Sequence, residues 1–496
     1  MGTSIRVSRL FRKGIWLYTL TIINNVFGFL YWFILSRIGG SSLLGLTSSV
    51  IGFSSIINGF LSLGLPTSLR KFLGREYLGG SIERAGRYYW STLWFSVILH
   101  VTTGSILYTL GCMGYGIESF TPEMLVASSI LVLFGYTLLM QSYTAAVLKT
   151  EIAFLATLIG NILKLFTGAY LVLAGYGWFG AVVGYVFVPA TLLLIGVVHS
   201  IRLLGFKLLI DTRLLREVLI AGISNWIPVV TLVIGQWLGV LVVYGYSGAV
   251  EAGYYYIAYV ITSLILMAGV SVMSIMLPVL SSMVDGRKRY SYNVLRLSLV
   301  AISPAMVYVL LYPDTILRLL GSEYVSASPM LSIMMLAVIP LSITYCVSNL
   351  LLAYGSYGRV LAIGLAQNLP RLILYLALTP LYSGFGSAVA FTIGGYTGLF
   401  YSLYVSSRIG YRIDYRGILK IVSIPLALLS IPYIIGAPWY YAVALLIASY
   451  IVYTRTRVLT RSDIRELSLV FLPEEKIDTI YYRLKPLIDL LVPRET

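Results

Sequence analysis

Uncharged apolar runs of about 20 residues recur along nearly the whole 496-residue chain, and this feature limits the fold more than any other. Each run is long enough to cross the ~30 Å hydrocarbon core as an α-helix, the simplest element that satisfies its own backbone polar groups in lipid. Strands of a membrane barrel would alternate apolar and polar residues, and these runs do not. Charged residues make up 11% of the chain, against about 25% in a soluble domain. The pattern predicts an all-α polytopic membrane protein.

Spans are expected near 14–36, 43–68, 88–111, 123–147, 152–174, 178–200, 218–246, 253–280, 293–312, 328–352, 360–380, 385–407, 418–436 and 438–453. With the N-terminus inside, 31 of the 35 Lys and Arg residues fall in cytoplasmic segments, because basic residues near span ends stay on that side. Only Arg37 and Arg318 lie outside, and Lys164 and Arg371 lie within spans. A miscounted span would invert every later loop and destroy this asymmetry. The expectation is therefore about fourteen transmembrane helices in the cell (cytoplasmic) membrane, with both termini cytoplasmic. The formal charge of +16 is then a consequence of topology and does not call for nucleic acid. The basic stretch from Met1 to Lys13 runs into a full-length span, so the first span is expected to remain in the mature protein. Cys112, Cys346 and two histidines support neither a disulfide framework nor a Cys/His metal site.

Compared with itself at a shift near 207 residues, the chain repeats. Asn161-Ile-Leu-Lys164 returns as Asn368-Leu-Pro-Arg371, and Tyr176, Phe179, Gly180 and Val183 return at the same spacing as Tyr382, Phe385, Gly386 and Val389. Gly45 is answered by Gly253, and Leu65-Pro66 by Leu277-Pro278. The shift moves by six spans, an even number, so the two copies are parallel. Residues 1–210 and 211–412 are expected to form two six-helix halves, 413–456 two extra helices, and 457–496 a cytoplasmic tail. In the tail, Ile464, Leu467, Phe471, Ile477, Tyr481, Leu484 and Ile488 fit amphipathic helices on the membrane face, or else a solvated basic tail.

All 19 carboxylates fall in loops or at span ends. Lys164 and Arg371 are central in their spans and occupy equivalent repeat positions. A cation at mid-bilayer costs at least ~2.5 kcal/mol and normally faces a bundle interior or wet cavity beside an opposite charge. With no carboxylate at that depth, the remaining partners are carbonyls, tyrosine hydroxyls, water or a substrate anion. Asn161 and Asn368, one turn from each cation, add neutral donors and acceptors. Asn24, Asn25, Asn225 and Gln236, on the first helix of each half, are further candidates for a substrate cleft. The structural alternatives are snorkelling for the cations and interhelical hydrogen bonding for the amides. His100 reads as a packed histidine. The chain has no phosphate-binding G-x-x-x-x-G-K-[ST] run, no paired acidic residues in an outer loop, and no Ser/His/Asp set. Nothing here calls for an enzyme or a cofactor.

The stretch LSRIGGSSLLGLTSSVIGFSSIINGFLSLGLPTSLRKFLGREYLG from Leu35 to Gly79 resembles the opening of polysaccharide flippases of the multidrug/oligosaccharidyl-lipid/polysaccharide exporter superfamily. The segment LRLLGSEYVSASPMLSIMML from Leu317 to Leu336 resembles their outer loop leading into span 10. The resemblance implies a pair of six-helix halves that carries an isoprenoid phosphate- or pyrophosphate-linked glycan from the inner to the outer leaflet by alternating access. Lipid-linked glycan and membrane lipid would be its partners, together with glycan-assembly enzymes. The drug-exporting branch uses membrane-embedded carboxylates for cation coupling, and this chain has none. Where the family commonly lines its first half with arginines, span 1 offers Asn24 and Asn25. A cation-coupled exporter of a small organic molecule, and an integral-membrane glycan polymerase or glycosyltransferase, are the alternatives that the residues leave open.

Overall fold

The computed structural model describes residues 2–116, 119–273, 276–460 and 463, with side chains from Ile23 onward except Ser224, Asn225, Pro278 and Ser282. The tail residues from Ile464 to Ile488, expected in amphipathic helices or a solvated basic tail, lie outside the described residues. Sixteen α-helices follow in order among those described: α1 (Gly2–Leu61), α2 (Leu65–Leu78), α3 (Ile82–Cys112), α4 (Pro122–Leu133), α5 (Leu138–Ala146), α6 (Thr150–Leu171), α7 (Gly177–Leu204), α8 (Thr212–Met273), α9 (Met276–Ser282), α10 (Arg287–Leu311), α11 (Pro313–Arg318), α12 (Ser328–Met335), α13 (Val338–Ala353), α14 (Tyr357–Arg408), α15 (Tyr415–Ile434) and α16 (Trp439–Arg455). The protein is a multi-pass, all-helical membrane protein.

Among the described residues, eight helical stretches, or nine with the bent pair Ser322–Met335 and Val338–Ala353, are long and apolar enough to cross a membrane. Four of them, Ile23–Leu61, Thr150–Leu204, Trp226–Met273 and Tyr357–Arg408, run 39 to 55 residues, about twice the ~20 that a span needs or more. Each of the four is interrupted. The backbone leaves helical geometry at Gly40 (φ 70°, ψ −174°), Gly248 (φ 83°, ψ −177°), Gly175 (φ 94°, ψ 2°) and at Tyr382 and Ser383. Two spans per long stretch, with the 17-residue α16, are compatible with fourteen.

Several expected spans have breaks that apolarity alone does not reveal. Span 2 stops at Leu61, where Leu63 (φ 45°) and Gly64 (φ 69°) turn the chain and Pro66 starts α2. Proline tolerates the first turn of a helix because its missing N–H is unpaired there anyway. Span 4 is interrupted by a 3₁₀ turn at Gly135–Thr137. Span 10 bends by 41° between α12 and α13.

The breaks repeat. Gly40 and Gly248 match, and so do Gly177 (φ 52°, ψ −138°) and Ser383 (φ 52°, ψ −140°), at the offset near 207 residues found in the sequence. Gly45 and Gly253 are also related by their contacts. A Cβ at Gly45 would meet the Ala249 carbonyl oxygen, and one at Gly253 the Ser41 carbonyl oxygen, so the two equivalent segments cross backbone on backbone.

Contacts group the chain into two units, Met1–Ile257 with Arg371–Ser387, and Ala258–Pro370 with Ala388–Thr496. The halves expected from the repeat cut the chain elsewhere, since a repeat describes equivalence and a unit describes contact. In the first unit α6 packs along α7 and α1, and α2 packs on α5 and α3. One core cluster joins Leu69, Tyr88, Tyr89, Trp90, Leu139 and Tyr143. Its polar tips are satisfied as buried aromatics require: Trp90 Nε1 donates to the Gly205 carbonyl at 2.7 Å, and Tyr88 donates to Glu217 at 2.5 Å. Truncating Trp90 to alanine would cost about 3–5 kcal/mol. In the second unit α10 packs on α15, α13 and α16. Arg296 there pairs with Asp463 at 2.5 Å and donates to the Val458 carbonyl at 3.1 Å, tying the chain beyond α16 to α10.

Candidate functional site

Helix α6 inverts the pattern of a soluble amphipathic helix. Its buried stripe is Ala153, Ala156, Thr157, Gly160, Asn161, Lys164 and Gly168, while Leu155, Ile159 and Phe166 are exposed, Phe166 by 69%. In lipid the apolar face needs no protein cover, so small and polar residues turn inward, where helices approach closely. Lys164 therefore points into the protein for the same reason that Phe166 points out.

Lys164 is 4% exposed. Its Nζ lies 5.2 Å from the ring centroid of Tyr31 on α1 and 4.9 Å from that of Tyr185 on α7. Tyr31 is held by donating its hydroxyl to the Ala181 carbonyl at 2.5 Å. Among the described residues no carboxylate pairs with Lys164. Two cation–π contacts of ~0.5–2 kcal/mol each roughly offset the ~2.5–3.5 kcal/mol insertion cost of a central lysine. A π face takes no hydrogen bond from the ammonium in the way an oxygen does, so the site keeps donor capacity for an anion. One turn earlier, Asn161 Nδ2 donates to Asn24 Oδ1 at 2.8 Å and to the Thr157 carbonyl at 3.0 Å, locking α6 to α1.

Lys164, Asn161 and Asn24 share the wall of a cavity of about 670 Å³ in the first unit, within the ~300–1,000 Å³ range of small-ligand sites. α1 adds Ser54, Ser55 and Asn58; α5 adds Gln141; α2 adds Thr67 and Arg70; α7 adds Tyr185; and α8 adds Val229, Val233 and Trp237. Of the eight residues named from the sequence, three line this cavity. Asn25, Gln236, Asn368 and Arg371 are not among the lining residues, and the side chain of Asn225 is outside the described set. Arg371 is as buried as Lys164, at 4% exposure, and Asn368 Nδ2 donates to the Gly364 carbonyl at 3.0 Å.

Sequence reasoning missed Arg70, Gln141, Tyr185 and Trp237. Arg70 had been counted with the inner-face basic residues. The chain turn at Leu63 and Gly64, followed by Pro66, brings it to the cavity, and the Leu-Gly-Leu-Pro run was the available signal. Tyr185 is one of 40 tyrosines and carried no signal of its own. His100 packs as expected, with Nδ1 2.8 Å from the Ser96 carbonyl.

The family model described as polysaccharide biosynthesis protein matches residues 34–329. Among solved structures, the chain is similar to lipid II flippase MurJ in an inward closed conformation, with TM-score 0.70 and 17% identity over 92% of this chain and 99% of that one. It is also similar to an inward-facing multidrug resistance MATE family transporter of the MOP superfamily (TM-score 0.62, 15% identity, 78% of this chain and 94% of that one). A third match is a MOP superfamily transporter from Pyrococcus furiosus (TM-score 0.57, 15% identity, 81% and 95%). At these identities the likeness establishes the fold. No curated protein matches the sequence.

Proposed function

Because the chain belongs to the polysaccharide biosynthesis protein family, we propose that it is a flippase that moves an isoprenoid phosphate- or pyrophosphate-linked oligosaccharide from the inner to the outer leaflet. One observation carries the reading: a deeply buried lysine with no carboxylate partner among the described residues borders a cavity large enough for a glycan head group. A phosphate entering that cavity would supply the missing counter-charge, and a charge-assisted bond to it is about twice as strong as a neutral one. Arg70 offers a second cation lining the same cavity. The shared fold with a lipid II flippase is consistent with this cargo. The chain would work in the cytoplasmic membrane with both termini inside, alternating access between parallel halves. Arg371 with Asn368, and Asn25, Asn225 and Gln236, would contact the substrate in other states of the cycle.

The test is translocation of a radiolabelled polyprenyl-pyrophosphate glycan in proteoliposomes. Lys164→Ala is expected to lower the rate by on the order of 30-fold or more, while Lys164→Arg retains part of it. Equal rates for native protein and a folded Lys164→Ala variant would overturn the anion path.

A further inference from the structure

The cavity that Lys164 lines is also lined by an indole, that of Trp237, and the two are joined by packed rings. Lys164 sits over Tyr185; Tyr185 tilts against Trp32 at 6.3 Å; Trp32 meets Tyr256 edge-on at 4.6 Å; and Tyr256 stacks on Trp237 at 5.9 Å with 17° between the planes. Trp237 returns to the cavity wall. Gly52 on α1 packs against the indole, since a Cβ there would lie 3.1 Å from Trp237 Cε3. Each ring limits its neighbour, so the indole is held before any ligand arrives and little entropy is lost on binding.

Aromatic belts in helical proteins are usually core packing, and Trp32, 3% exposed, fits that description. Trp237 does not. It is partly exposed, and its open surface borders an internal cavity that also contains a buried cation. On the same face of α8, Val229 and Val233 also line the cavity and offer no side-chain hydrogen bonds. The two valines therefore contribute through shape and dispersion. The face of an indole carries negative charge density, which suits the slightly positive C–H face of a pyranose ring. Ser54, Asn58 and Gln141 on other walls supply groups able to bond sugar hydroxyls.

We infer that Trp237 is the platform for the sugar attached directly to the phosphate, so that this site selects glycosyl phosphates of lipid over the bare lipid phosphate. The inference rests on the flippase reading and deepens it. A cation alone would hold any lipid phosphate equally; the indole adds discrimination for the sugar.

Binding to the full-length protein in nanodiscs separates the two claims, using polyprenyl phosphate and polyprenyl monosaccharyl phosphate as probes. The native protein is expected to bind the sugar-bearing probe more tightly. Trp237→Leu should weaken that probe about tenfold and leave the bare phosphate unchanged, while Trp237→Phe should keep most of the preference. Lys164→Gln should weaken both. The ratio of the two affinities is insensitive to general loosening of the fold, and Trp237→Phe provides the same reading if the leucine variant does not fold. Equal weakening of both probes, or no change in the ratio, overturns the platform and leaves the anion path standing. If the native protein binds neither probe, the flippase reading fails and the platform fails with it.

Discussion

The two repeat-related segments around Lys164 and Arg371 share a backbone and differ in chemistry. In both, an asparagine donates to the carbonyl four residues earlier, Asn161 to Thr157 and Asn368 to Gly364. In both, a cation buried to the same degree follows three residues later, and a break with φ 52° ends the segment. Lys164, however, rests on two tyrosine rings at the edge of a cavity. Beyond Arg371, the next turn of α14 carries Tyr375, whose hydroxyl accepts from Tyr255 at 3.2 Å and donates to the Gly235 carbonyl at 3.5 Å. A repeat thus preserves where the chain goes more faithfully than what its side chains do. One copy borders a cavity, and beside the other the tyrosines are tied to each other and to the backbone.

The sharpest way to break this comparison is to remove each cation in turn. Against the on-the-order-of 30-fold loss expected for Lys164→Ala, Arg371→Ala should lower translocation by only about three- to fivefold. Equal losses would mean that the copies are functionally symmetric and that the cavity beside Lys164 is not the main station. A smaller effect sharpens the contrast. Tyr185→Leu removes one of the two rings under Lys164 and should cost about 0.5–2 kcal/mol, read as weaker binding of polyprenyl phosphate or a lower melting temperature. Tyr31→Phe keeps the ring and loses only the hydrogen bond to Ala181, about 1 kcal/mol of stability, with binding unchanged.

The frame of this comparison was legible in the sequence, while the difference between the two copies was not. Helical spans follow from apolar length, and the centrality of Lys164 and Arg371 follows from their distance to flanking loops, because lipid penalises charge by depth. Asn161 was legible through helical spacing. The chain turn at Leu63 and Gly64 leaves one trace, the Leu-Gly-Leu-Pro run, but Leu, Gly and Ser also occur inside spans, so in the sequence Arg70 reads as an inner-face residue. Nor could Tyr185 or Trp237 be picked out. What distinguishes them is the helix packed opposite, and periodicity along one helix carries no information about its neighbour. The bent passage between α12 and α13 was hidden for a similar reason: apolar residues on both sides of a bend keep the hydropathy continuous.

The shared backbone itself can be tested without touching either cation. Gly177 and Ser383 have nearly the same dihedrals, φ 52° with ψ −138° and −140°, in a region that a residue with a Cβ adopts only under strain. Glycine meets that requirement in the first copy, whereas serine is forced into it in the second. Ser383→Gly should therefore stabilise the protein by about 1 kcal/mol, and Gly177→Ala should destabilise it by about 1–3 kcal/mol, both read as shifts in thermal or denaturant unfolding in detergent. A destabilised Ser383→Gly would show that the serine side chain contributes more than its backbone strain costs. The equivalence of the two breaks would then be geometric only, and the Arg371 copy would depend on local contacts of its own to hold the same path.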